Sequence, residues 1–172
     1  MSAKIKLKEE EDILLPKMEK VLECALEVIR NNPLSDVFDY EHKDTIFDNI
    51  WLETSVNNKY LEEWRKLSGI DDLIVKVIGT TGNSDDHIHY HMETHELLAP
   101  LGQSENFPDY TEGVFYLNKI NPDPIEKGMT YVIPAKTVHG FGTRKKGDKI
   151  YFLSVQNKDS ANDHKIVKPK RK

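Results

Sequence analysis

The chain carries one cysteine, Cys24, in 172 residues, so an internal disulfide is excluded and a core must hold the fold together. It also lacks any run near the roughly 18–20 consecutive apolar residues of a membrane span. The opening MSAKIKLKEEED has no apolar core of a secretory signal, which leads us to expect a cytoplasmic protein away from the membrane. Excess positive charge is missing too: the formal net charge is −5, which argues against nucleic acid as a partner. The one basic run, Lys165 to Lys172 (KIVKPKRK), reads as a solvated tail.

A composition of 38% hydrophobic and 31% charged residues suits one compact domain. Cys24 stands beside Leu22, Ala25 and Leu26 and reads as a small buried hydrophobe rather than a nucleophile. Around it, residues 14 to 31 place Leu14, Met18, Leu22, Ala25 and Ile29 at helical spacing, with Pro16 in the first turn and Asn31-Asn32-Pro33 as the stop. This stripe needs a covering surface, either its own core or a second copy in a homodimer. Thr45 to Thr54 looks extended, and Asn57 to Leu67 looks like a short helix ended by Ser68-Gly69.

From Leu73 onward the pattern turns to short β-branched and aromatic runs: LIVKVIG, HIHYH, HELLAPL, GVFYL, MTYVIP and KIYFLSVQ. Strands this short and this closely spaced predict a sandwich or barrel. No internal repeat or low-complexity linker divides the chain. We therefore expect a mainly β fold with an α-helical N-terminal extension over residues 1–70, a barrel over 71–160 and a basic tail over 161–172, folded as one domain.

Five of the seven histidines fall in DDHIHYHMETHE (85–96) and GMTYVIPAKTVHGF (128–141). Alternate residues of a strand share a face, so His89 and His91 project together toward one ion. Glu96 follows after a gap long enough for the chain to turn and put the carboxylate on the neighbouring strand. His139, flanked by Pro134, Gly140 and Gly142, is the candidate for a fourth ligand. Imidazole with carboxylate suits Fe, Mn, Co, Ni, Cu or Zn better than Ca or Mg. Four protein ligands would leave positions open for catalysis.

With these residues the sequence resembles the cupin superfamily, whose motifs are G-x5-H-x-H-x3,4-E-x6-G and G-x5-P-x-G-x2-H-x3-N. Gly82, His89, His91, Glu96 and Gly102 answer the first, and Gly128, Pro134 and His139 answer the second. The match covers residues 73 to 157, with Lys136 in place of a glycine and Thr143 in place of an asparagine. Gly82 lies one residue too far from His89, and Gly102 one too near Glu96. The resemblance implies a double-stranded β-helix (jelly-roll) barrel holding one divalent transition metal, with Phe115, Tyr131, Phe141 and Phe152 as candidate lining.

A second register, His87-x-His89-x3-Glu93, also satisfies the first motif, but LLAPLG after Glu96 matches the expected continuation better. In the preferred register His87 and Glu93 become candidate catalytic or proton-handling groups. His42, His95 and His164 have no motif around them and default to the surface. The resemblance leaves the activity open, because one barrel hosts many reactions, and the complete ligand set leads us to expect a small-molecule enzyme, a dioxygenase first and an isomerase or lyase next. A non-catalytic binding or sensing module is the alternative.

Overall fold

A computed structural model describes residues 3–46, 49–81, 88–101, 113–118, 123–125, 128–143 and 149–167. In chain order the elements are α1 (Ala3–Asn31), α2 (Leu34–Val37), β1 (Phe38–Ile46), β2 (Asn49–Val56), α3 (Asn58–Ser68), β3 (Ile74–Thr81) and β4 (His89–His91). They continue with β5 (Glu96–Pro100), β6 (Gly113–Leu117), β7 (Asp123–Pro124), β8 (Tyr131–Ile133), β9 (His139–Thr143), β10 (Lys149–Gln156) and β11 (His164–Ile166). The strands form two antiparallel sheets, in the orders β1-β2-β3-β10-β5-β8 and β11-β4-β9-β6-β7. This is a mainly β, double-stranded β-helix (jelly-roll) architecture with an N-terminal helix.

The six-stranded sheet is covered on both faces, and its strands divide their residues accordingly. On β10, Leu153 and Val155 face outward into a core shared with Met18, Ala25, Ile29 and Trp64. The intervening Ile150 and Phe152 join Ile78, Leu98, Ile133 and Phe141 between the sheets. The α1 stripe therefore closes on its own barrel: Met18, Leu22, Ala25 and Ile29 are all at most 4% exposed. Burying Met18, Leu22 or Ile29 contributes about 1.5–3 kcal/mol each, so the sheet itself accounts for the stripe. Among the described residues, no helix is long and apolar enough to cross a membrane.

Two sequence expectations change here, the place of Pro16 and the start of the tail. Helix α1 begins at Ala3, so Pro16 lies in its interior instead of its first turn. There it removes one backbone hydrogen bond, which the buried stripe beyond it must offset. The extended conformation expected over Thr45 to Thr54 holds at 45–46 and 49–54, where β1 pairs antiparallel with β2 and enlarges the barrel's sheet; residues 47–48 lie outside the described residues. Part of residues 1–70 is thus continuous with the barrel wall. Lys165, assigned to a frayed tail, sits in β11, which pairs with β4. Residues 168–172 lie outside the described residues.

The short helix over Asn57 to Leu67 appears as α3, where Asn57 accepts from the Lys59 N–H at its start. Gly69 ends it with a φ of 71°, a conformation that glycine adopts without steric cost. Cys24 is half-buried against the outer core, and burial pushes its thiol pKa up. That keeps it a thiol near neutral pH.

Candidate metal centre

Strand β10 carries the change from core to site along one face, because Ile150 and Phe152 are followed at the same parity by Ser154 and Gln156. The apolar end is filled: Phe115 stacks on Tyr131 at 4.0 Å between centroids, and Phe141 lies 4.4 Å from Phe152. All four aromatic side chains expected to line the barrel face its interior core. The polar end receives the histidines.

His89 and His91 project from β4, and His139, the register partner of His89, projects from β9. These three are 4%, 4% and 1% exposed, and one donor atom from each lies within 4.8 Å of the other two. Three buried histidines so placed could hold a metal ion. Glu96 comes from β5, which belongs to the opposite sheet rather than to the strand beside β4, and it too is buried. Its Oε2 stands 3.5 Å from His91 Nε2 and 3.6 Å from His139 Nε2. The barrel thus brings His89, His91, His139 and Glu96 together.

The orientation of the cluster is fixed from behind. His139 Nδ1 lies 2.9 Å from the Thr137 carbonyl, so that nitrogen carries a proton and Nε2 is the atom turned inward toward Glu96. Glu96 Oε1 accepts from Ser154 Oγ and, at 2.9 Å, from Gln156 Nε2. Gln156 is held in turn by the Ser160 N–H, which donates to its Oε1 at 2.9 Å. Burial pushes the Glu96 pKa up, but His139, His91 and Ser154 outweigh it and hold the carboxyl well below the usual range. The inner oxygen is an anion facing imidazole nitrogens.

The two residues given proton-handling roles fare differently from the four just described. Glu93 is not brought to the cluster: its carboxylate is exposed and paired with Lys158 Nζ on the turn after β4. That turn points it to solvent, so the second register would lack its carboxylate. His87, Gly82 and Gly102 lie outside the described residues. The backbone of His42 is in β1, paired with Glu53.

Two histidines left to the surface are placed elsewhere. His95 is half-buried, and its Nδ1 accepts from the Ala135 N–H at 3.2 Å, tying the β4–β5 turn to the loop before β9. Lys136 in that loop has a φ of 68°, so it occupies the left-handed conformation that the motif's glycine would favour. Its N–H donates to the His91 carbonyl at 2.6 Å, which anchors the loop on β4. His164 on β11 lies opposite His91, with its ring centroid 4.3 Å from that of His89 and 5.9 Å from that of His91. Burial and the neighbouring imidazoles His91 and His139 push its pKa down to about 4, so it is neutral at pH 7.

Sequence reasoning missed His164, Ser154 and Gln156. The parity of β10 relative to Phe152 was a usable signal for the last two. Nothing local marks His164, because only the pairing of β11 with β4 delivers it.

No protein-family model matches the sequence, and no curated protein matches it. Solved structures align with the backbone. They include the Streptomyces nucleoside dehydratase Pac13, 11% identical over 80% of this chain and 92% of that one at a TM-score of 0.45. The DMSP lyases RdDddP and RnDddQII give 16% identity over 75% of this chain and 63% of that one at 0.46. HppE in its iron(II) form gives 12% over 68% and 55% at 0.43. Fold and site, taken from the geometry itself, define a jelly-roll barrel with three buried histidines and a buried carboxylate at one end.

Proposed function

We propose that the protein is a metal-dependent small-molecule enzyme in which His89, His91, His139 and Glu96 hold one divalent transition metal. The observation that carries this reading is the approach of Glu96 Oε2 to two imidazole nitrogens at 3.5 and 3.6 Å. Oε1 of the carboxylate and Nδ1 of His139 are already engaged on the far side. Buried acceptors that face one another without a proton between them repel, and a cation relieves that repulsion. When bound, the ion supplies Lewis acidity and, if iron or copper, a route for electrons to dioxygen.

The chain's own residues do the rest. Ser154 and Gln156 fix the carboxylate, Thr137 fixes the His139 tautomer, and the aromatic core keeps water out of the barrel's closed end. We take the substrate to be a small chelating molecule in the cytoplasm and oxygen-dependent turnover to be its fate. Isomerase or lyase chemistry is the second reading, with the half-buried imidazole of His164, edge-on to His89 at 4.3 Å, as the proton-handling group beside the cluster.

Oxygen uptake by the iron form with catechols, thiols and keto acids tests the first reading, and aldose–ketose interconversion by the manganese form tests the second. Turnover in one screen, abolished by His91→Ala, is the expected result. Silence in both, with metal bound, would instead favour a non-catalytic ligand-binding barrel.

A further inference from the structure

We infer that His164 is a further binding residue of this centre, one that contacts the molecule on the open side of the ion and leaves the ion itself to the other four side chains. The inference rests on the metal reading above.

Its first support is register. Strand β11 runs antiparallel to β4 with His164 directly across from His91, and directly opposed residues share a sheet face. His89 shares that face by alternation, and the ring contacts agree: His164 meets His89 edge-on at 4.3 Å and 89°. A histidine without a motif thus stands in the same ring cluster.

Burial supplies the second support. His89, His91 and His139 are at most 4% exposed, whereas His164 is half-buried and yet its Nε2 is buried. Its outer edge faces solvent and this nitrogen faces inward. His164 stands outside the three-histidine group whose donor atoms lie within 4.8 Å of one another, as Glu96 does, and its ring centroid is 5.9 Å from that of His91. It lies next to the ion's place, where an incoming ligand would sit.

The third support is how firmly the short strand is held. Before it, the Asp163 carboxylate accepts from the Glu93 and Thr94 N–H groups at 2.7 and 2.8 Å and from Thr94 Oγ1 at 3.0 Å. After it, the Val167 N–H donates to the Ile88 carbonyl at 2.8 Å. Ties on both sides of a three-residue strand fix the imidazole at the position they define.

Azide binding to the cobalt(II) form, followed by its visible spectrum, tests the assignment. His164→Ala should keep cobalt affinity within about threefold and weaken azide about tenfold or more, the scale of one hydrogen bond to a charged ligand. His164→Phe restores the ring without the nitrogen and should match the alanine variant, while His164→Gln should recover part of the affinity. Wild-type azide affinity in His164→Phe would overturn the inference, since the ring would then serve packing only. So would loss of cobalt from His164→Ala with unchanged circular dichroism, which would make His164 a metal ligand. A wild-type protein that binds no cobalt would bring down the metal reading first, and this inference with it.

Discussion

Glu96→Gln separates what the cluster does for metal from what it does for the fold. The amide keeps the shape of the side chain, and its oxygen can still accept from Ser154 and Gln156. Its NH2 then takes the place of Oε2, which faces the Nε2 atoms of His91 and His139 at 3.5 and 3.6 Å. At a pH high enough that no proton lies between the carboxylate and the two imidazoles, two acceptors acquire a donor and a buried negative charge disappears. At about 1 kcal/mol per hydrogen bond, the metal-free variant should gain about 1–2 kcal/mol. For a domain of this size that raises Tm by about 2–8 °C.

Metal reverses the order. At a free concentration about 100 times Kd, binding adds about 2.7 kcal/mol to the wild type, or about 5–11 °C. The neutral amide is a poor partner for a transition ion, so the variant should gain almost nothing at that concentration. Scanning calorimetry with chelator and then with cobalt(II) reads both effects. A metal-free variant that melts below the wild type, and then rises with cobalt as far as the wild type does, would refute the reasoning.

Three further outcomes are expected. Ser154→Ala removes one donor from Glu96 Oε1 and should cost about 10–100-fold in metal affinity, measured by competition with a chromophoric chelator. Lys136→Gly relieves a φ of 68° and should stabilise the fold by about 1 kcal/mol in denaturant titration while leaving metal content unchanged. For Asp163, burial raises the pKa but the Glu93 and Thr94 N–H groups outweigh it and set it below the ordinary value. A depressed folded pKa gives stability that is complete above about pH 4 and is lost as pH falls through the folded value. Asp163→Asn should therefore melt lower at pH 7 and show a shallower fall in Tm between about pH 5 and pH 3.

How much of this was legible in the sequence depended on how local each signal was. His89 and His91 announce a shared face by alternation within one strand, and α3 carries its start and stop in Asn57 and Gly69. Strand β10 showed no clean alternation because its outer residues meet α1 while its inner ones meet the opposite sheet. Both faces being buried, KIYFLSVQ reads as one apolar run, and the switch to polar residues at Ser154 and Gln156 passed unnoticed. The position of Glu96 required knowing that the chain crosses between sheets after His95, which no parity argument reaches. Strand β11 is three residues long and polar, so neither propensity nor periodicity could place His164. Its location depends on a pairing 73 positions back along the chain, between His164 and His91.

Metal content of the protein purified without an affinity tag tests the central claim most directly. Elemental analysis should find about one transition-metal ion per chain in the wild type and little in His91→Ala or Glu96→Ala, with Glu93→Ala unchanged. A well-folded wild type that neither carries a transition ion nor takes one up when supplied would contradict the account.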